Sequence, residues 1–248
     1  MFLGLNPFAS ARRRLGAIFA AVAVSVVCLA CGAVMAFILA PGQAIRAYRI
    51  ARLPVMGAAD VEAASAGDTI LVTGILADNA PRLDGFDFVV YEEEVWRVTT
   101  PDRDDGEAAD PYGSWEAGET VAPALTLRVG DRPVRIHRAG NVRLGGALRE
   151  EIVEGGGSDR AKYGERWLPD GSRRYRGVSD GDLLTVLGKK ATTGGVIPEE
   201  LFAGDRVAFE DSQRQAASGL LFGGILLMIL SPVVLVGGLW GAIFGRRR

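Results

Sequence analysis

The sequence predicts a membrane protein in which two transmembrane helices flank a β-rich domain, α+β in class and small and barrel-like in architecture. Three observations carry this reading. Two long uncharged apolar runs lie near the ends, the stretch between them breaks into short β-branched and aromatic runs bounded by Gly, Asp and Pro, and one strand motif occurs twice.

The apolar runs come first. No charged residue occurs between Leu15 and Ile45 or between Gln215 and Gly245, 31 residues in each case. As a helix, either run would reach roughly 46 Å at about 1.5 Å per residue, more than the roughly 30 Å hydrocarbon core of a bilayer. An ordinary cytosolic protein is therefore excluded. The boundaries read as a cytoplasmic tail over 1–14, a first transmembrane helix over 15–40, an extracytoplasmic β-rich domain over 41–214, a second transmembrane helix over 215–245 and a basic cytoplasmic tail over 246–248.

Charge sets the orientation. Between Arg46 and Arg214 there are 22 basic and 30 acidic residues, a net charge of −8, which argues against nucleic acid as a partner. The other basic residues, Arg12, Arg13, Arg14, Arg246, Arg247 and Arg248, sit outside the apolar runs, and both tails lack acids. The positive-inside rule then places both termini in the cytoplasm and the middle domain outside it. Arg46, Arg49, Arg52, Arg206 and Arg214 lie near the membrane on the opposite side and weigh against this assignment.

The arginines, apolar run and small residues before Cys31 imitate a lipoprotein signal, but Cys28 stands where Leu is wanted and the run continues to Ala40. A retained anchor fits better than a signal with its shorter apolar region. Cys28 and Cys31 are the only cysteines and are spaced Cys-x-x-Cys. Within a lipid-embedded helix they lack a charged neighbour to lower a thiol pKa, so they read as small apolar packing residues.

Each helix carries small residues on a stripe: Ala17, Ala21 and Ser25 in the first, Gly219 with Gly223 and then Gly237, Gly241 and Gly245 in the second. Such faces allow close backbone approach in lipid. Self-association through Gly237, Gly241 and Gly245 and packing of the two helices as a hairpin both remain open. Ser231-Pro232 should kink the second helix, the serine hydroxyl satisfying a freed carbonyl.

After Pro41 a helical extension over Gln43 to Arg52 should leave the membrane at headgroup level. Strands are expected over Thr69 to Leu76, Phe86 to Val98, Ala124 to Val129, Pro133 to Arg138 and Leu183 to Lys189. Leu125, Leu127 and Val129 alternate with Thr126 and Arg128, the mark of a half-buried strand. Gly67-Asp68-Thr69-Ile70-Leu71-Val72-Thr73-Gly74 matches Gly181-Asp182-Leu183-Leu184-Thr185-Val186-Leu187-Gly188 in the pattern G-D-x-[IL]-x-V-x-G. Gly-Asp makes a turn, the aliphatic run a strand, and the closing glycine a bulge or bend. Two copies predict two similar strands in one barrel or sheet, not a solenoid. Similar turns occur at Gly130-Asp131 and Gly204-Asp205.

These motifs, with Val89-Val90-Tyr91-Glu92-Glu93-Glu94-Val95-Trp96, Arg135-Ile136-His137-Arg138-Ala139-Gly140 and Arg176-Gly177-Val178-Ser179-Asp180 leading into the second copy, carry a resemblance. The chain resembles the "beside a membrane" (BAM) domain of the GIDE/MULAN membrane-anchored ubiquitin ligases and their prokaryotic relatives, over roughly Arg46 to Phe244. The resemblance implies a non-cytosolic domain between two membrane helices. The ligases follow their second helix with a zinc-binding RING, whereas this sequence stops three residues after Gly245 and holds two cysteines and one histidine. No structural zinc site with Cys or His ligands can be built from that set, and ubiquitin-ligase activity is not expected.

Other chemistry is weighed residue by residue. His137, the sole imidazole, should share an outward strand face with Arg135 while Val134 and Ile136 point inward. There is no Gly-x-Ser-x-Gly elbow. Ser158-Asp159 after Gly155-Gly156-Gly157 reads as a loop, not a phosphate cradle. A Ser–Lys pair would need Lys162, Lys189 or Lys190, and no spacing favours it. Asp102, Asp104, Asp105, Glu107 and Asp110 form an acidic loop that reads either as weak calcium binding or as a solvated insertion, with Gly106 one place early for an EF-hand. Of Glu92, Glu93 and Glu94, two should face solvent, and the middle one should pair with an Arg or mark a second wet face. Trp96, Trp115, Trp167, Tyr91, Tyr112, Tyr163 and Tyr175 lie in the middle domain, with Tyr112 and Trp115 read as loop residues suited equally to an interface or to a core.

The sequence therefore predicts no catalytic, cofactor-binding or metal site. It points to a membrane-anchored interaction or scaffold module whose partners are the bilayer and other membrane or extracytoplasmic proteins. An accessory subunit of a larger membrane complex is the rival reading, and a membrane-bound hydrolase using His137 or a Ser–Lys pair the third.

Overall fold

The computed structural model describes residues 7–101 and 110–244. Asp102, Asp104, Asp105, Gly106, Glu107, Gly245 and Arg246 to Arg248 lie outside the described residues, as do the side chains of Arg12, Arg13, Arg14 and Ala17 and the surroundings of Gly241. The chain divides into a helical unit, up to Arg52 and from Glu210 onward, and a β-rich unit over Leu53–Phe209.

In the helical unit α1 (Pro7–Val34) passes through a π-helical turn (Met35–Leu39) into α2 (Ala40–Ala51). The transmembrane helix expected over 15–40 and the extension expected over Gln43 to Arg52 are thus one continuous helical run. The missing N–H of Pro41 would interrupt the ladder, and the π turn, in which the Ala40 N–H reaches the Met35 carbonyl, carries the helix past that point. The last helix is numbered α4 (Arg206–Phe244), after a short α3 (Ala58–Ala63) in the β-rich unit. It begins well before the expected start at residue 215. The reason is Asp205, whose carboxylate accepts the Ala208 N–H at 2.8 Å, so the Gly204-Asp205 turn serves as a helix cap.

The helices α1 and α4 pack antiparallel, and small residues set the spacing. A Cβ on Gly32 would lie 2.7 Å from the Gly224 carbonyl oxygen, and one on Gly238 would lie 2.4 Å from the Ala21 Cβ. Between these points the buried Ser25 Oγ donates to the Ser231 carbonyl at 3.0 Å and the Ser231 Oγ to the Ser25 carbonyl at 2.8 Å. The serine beside Pro232 thus bonds across the helix pair, not to a carbonyl of its own helix. Gly219 and Gly237 have nothing within 4 Å, so the glycines that join the helices lie one position along from the expected stripe.

The β-rich unit contains β1 (Thr69–Leu76), β2 (Phe88–Thr99), β3 (Tyr112–Val121), β4 (Leu125–Val129), β5 (Arg132–Ile136) and β6 (Arg143–Gly146). It continues with β7 (Arg149–Val153), β8 (Arg160–Tyr163), β9 (Arg166–Pro169), β10 (Arg173–Ser179), β11 (Leu183–Lys190) and β12 (Val196–Ala203). Five of these close a barrel in the order β1-β4-β5-β12-β11 and back to β1, with β5 and β12 parallel. That order is the Greek-key barrel of the OB type. Aliphatic residues at alternate positions fill it, among them Ile70, Val72, Leu125, Leu127, Val134, Ile136, Leu184 and Val186, and Ala58 and Val61 of α3 join the same core. The buried Lys190 Nζ donates to the Val61 carbonyl at 2.6 Å and so satisfies one of the open carbonyls at the end of α3.

After β5 the chain adds β6 to the barrel sheet, parallel to β12, and two insertions leave the barrel, β2–β3 between β1 and β4 and β7–β10 between β6 and β11, and meet in a second, antiparallel sheet ordered β3-β2-β10-β7. The hairpin of β8 and β9 adds Ala161 and Leu168 to a small second core around Trp96. Where the chain enters and leaves this unit, the Arg206 guanidinium donates to the Leu53 carbonyl at 2.7 Å.

The two copies of the repeated motif are adjacent antiparallel strands, β1 and β11, related by a local twofold axis. Val72 pairs with Val186, and the flanking turns repeat bond for bond. The Gly67 N–H reaches the Lys190 carbonyl as the Gly181 N–H reaches that of Leu76. The carboxylate of Asp68 accepts the Ser65 N–H and that of Asp182 the Ser179 N–H. Gly67 and Gly181 hold φ near +90°, which explains the residue type in these turns. The closing glycines act differently. Gly74 and Gly188 are required by close approach, since a Cβ on Gly188 would lie 2.1 Å from the Ile197 oxygen at the bulge where β11 meets β12.

Candidate binding groove

The three successive glutamates singled out in the sequence are each tied to an arginine. Arg176, Arg173 and Arg174 of β10 pair with Glu92 at 3.5 Å, Glu93 at 2.8 Å and Glu94 respectively. The middle glutamate pairs with an arginine as expected, but its neighbours are half-buried and paired too, because β10 offers an arginine to each. Burial pushes the Glu92 carboxyl above its ordinary value, while the Arg176 charge pulls it down. Trp115 belongs to β3, not to a loop. It lies 4.9 Å from Trp96 and 5.4 Å from Tyr163 between ring centroids, with the Arg174 guanidinium stacked 4.6 Å above it. Tyr112 and Trp167 are exposed.

The residues weighed for chemistry are held apart. His137 follows β5 half-buried, and its Nε2–H donates to the Gly194 carbonyl at 2.6 Å while its main-chain N–H reaches Val196. The ring is engaged in joining β5 to the β11–β12 turn instead of facing outward with Arg135. Ser158 Oγ donates to Asp159 at 3.3 Å, Lys189 pairs with Glu199 at 3.5 Å, and Lys190 is bound to Val61. Among the described residues no three His, Cys, Asp or Glu side chains converge on a point where a metal ion would fit.

What the structure brings together was not singled out as a site in the sequence. The end of β3 (Gly118–Val121), the connection to β4 and the loop 138–142 after β5 enclose a groove of about 720 Å³, floored by the buried Ala122 and Val142. Arg82 and Arg138 stand on its rim with Asn141 and one carboxylate, Glu119. Both arginines are exposed, and among the described residues neither forms an ion pair. Of the neighbouring guanidinium groups, Arg143 pairs with Glu200 and Arg149 with Asp87 and Asp182, whereas Arg128, Arg132 and Arg135 of the adjoining strands are exposed and, among the described residues, in no ion pair either.

Local structure positions the two rim cations. Arg138 follows directly on His137, whose two bonds fix the chain as it leaves β5. Arg82 lies on the β1–β2 connection, whose start is fixed by Asn79. The Asn79 amide accepts the Thr126 N–H at 2.8 Å and donates to the Thr126 carbonyl at 3.0 Å, taking the place of one more residue of β1 beside β4. Its N–H groups also reach the Asp180 carboxylate.

Comparison of the chain with protein-family models, curated proteins and solved structures finds no match. The function must therefore be read from the groove and the helices themselves. A concave surface with two guanidinium groups that form no ion pair among the described residues can hold carboxylates or other oxyanions by charge-assisted, bidentate hydrogen bonds.

Proposed function

We propose that this protein is a membrane-anchored interaction module, with the helical pair seated in the bilayer and the barrel domain presenting its groove to a protein partner. The observation that carries the reading is the pair of exposed arginines, Arg82 and Arg138, which line a concave surface and form no ion pair among the described residues. The membrane seat is supported by the outer surface of the helices, where Phe19, Phe37, Phe222, Val236 and Trp240 are 62% to 71% exposed. The two helices are long and apolar enough to cross a bilayer. Their buried serine hydroxyls bond to carbonyls inside the pair, as a lipid surrounding demands.

By the positive-inside rule the domain faces away from the cytoplasm. Kinship with the BAM domain rests on the resemblance of the G-D-x-x-x-V-x-G motifs in the sequence. A second reading, an accessory subunit of a larger complex, is favoured by Gly219 and Gly237, which leave a small-residue face on α4 open to another helix.

The test is a photo-crosslinking amino acid at Asn141, inside the groove, compared with one at Ser114, outside it, in the full chain in native membranes. A discrete adduct from Asn141 alone is expected. Equal labelling from both positions, or none from Asn141, overturns the reading.

A further inference from the structure

Three features of the groove bear on what it holds. One wall is the last part of β3, and β3 is the outer strand of its sheet, hydrogen-bonded to β2 alone among the described strands. Its other edge pairs with no strand among the described residues, and such an edge is a template onto which an extended chain can add. A β-bulge in the β2–β3 ladder lies between Glu92 and Glu94, opposite Gly118 and Glu119. Gly118 packs there so closely on β2 that a Cβ would lie 2.8 Å from the Glu93 oxygen, so this end of the edge carries no side chain at the bend. The same groove is lined by Arg82 and Arg138, with Glu119 of β3 its one carboxylate, in a domain whose overall balance is acidic.

We infer that the groove binds an extended acidic peptide segment, which adds a strand to the Gly118–Val121 edge of β3 and places carboxylates on Arg82 and Arg138. The backbone supplies register and the arginines supply selectivity, because side chains alternate along a strand and only those on one face meet the rim. The inference rests on the interaction-module reading and names the chemistry of its partner. A small anion could use the arginines but not the strand edge, and a basic or neutral strand could use the edge but not the arginines.

The experiment uses the full chain in detergent micelles and a blocked peptide of alternating Thr and Glu as probe, with binding followed by calorimetry. Comparison probes are the same peptide with Lys for Glu, the same peptide N-methylated at alternate amides, and glutarate. The acidic peptide should bind and weaken as salt rises, while the other three should not bind at the same concentrations. Arg82→Ala and Arg138→Ala should each weaken binding about tenfold. Both side chains are exposed, so unchanged melting temperatures are expected and are measured alongside.

Equal binding of the N-methylated peptide or of glutarate overturns strand addition, and binding of the Lys peptide overturns the role of the arginines. If the acidic peptide does not bind while Asn141 still gives a crosslinked adduct, the acidic-strand inference fails and the interaction-module reading stands. If both fail, the reading itself falls.

Discussion

Val72 lies directly across from Val186, and around this pair the first and eleventh strands map onto each other by an offset of 114 residues. The correspondence reaches the turns, where Asp68 and Asp182 accept the N–H of Ser65 and Ser179. One difference breaks it: the Asp182 carboxylate also meets Arg149 at 3.3 Å. Asp68→Ala should therefore cost about 0.5–1.5 kcal/mol, the worth of one net hydrogen bond, and Asp182→Ala more. Chemical denaturation of the two variants checks the order, and equal costs would show that Arg149 adds nothing.

Gly188→Ala should destabilise the barrel by about 1–3 kcal/mol, because the new Cβ would collide with the Ile197 oxygen, a main-chain atom that cannot turn aside. Backbone strain is not the cause, since only glycines with positive φ carry that cost, so no side chain should be better tolerated than alanine. Thermal melts of Ala, Asn and Val variants test this. Asn performing best would indicate a left-handed conformation instead.

In the helical pair Gly238→Ile should force α1 and α4 apart, whereas Gly237→Ile should leave them packed, because Gly238 meets Ala21 and Gly237 meets nothing. Crosslinking between cysteines placed at Ser25 and Ser231, in a background lacking Cys28 and Cys31, reports the separation. Ser25→Ala alone should cost only about 0.6 kcal/mol, as interhelical hydrogen bonds in membranes do on average. A loss of self-association in Gly237→Ile with the intramolecular crosslink intact would assign that glycine to a second copy.

Glu92 gives a pH dependence of definite sign. Its folded-state pKa is raised, chiefly by burial, so the folded protein takes up this proton before the unfolded chain does. Its contribution to stability therefore grows as pH falls from neutrality through the raised value towards the ordinary 4.5. Glu92→Gln removes that contribution. The melting temperature of the variant minus that of the natural protein should be greatest near neutral pH and shrink on acidification. A difference that widens on acidification would show that the Arg176 charge outweighs burial.

Cysteine introduced at the exposed Ser114 should react with a membrane-impermeant maleimide in intact cells, with Cys28 and Cys31, both within α1, silent in lipid. Reaction only after permeabilisation would reverse the proposed topology.

The parts of the fold written in local patterns were legible. The run Thr69 to Leu76 emerges with its expected bounds because its alternation, turn and closing glycine all agree. β12 escaped notice because Pro198 sits within it. The proline is tolerated where Gly188 faces it across the bulge, a pairing no linear reading reveals. β3 was hidden by Gly113 and Gly118, and each of these glycines makes room for a neighbour on β2, Trp96 in one case and the Glu93 backbone in the other. The groove was invisible for the same reason on a larger scale. Arg82 and Arg138 are 56 positions apart and meet on one rim only after the barrel closes. Asn79 could have been suspected from its place after Asp78 at the end of a strand, since Asn readily completes a neighbouring ladder with its side chain.

The bond from Arg206 to the Leu53 carbonyl makes the β-rich unit a cassette: the chain comes in and goes out at one clasped corner. Such a module interrupts its host without stretching it, so it can be grafted into a surface loop of an unrelated scaffold with little linker.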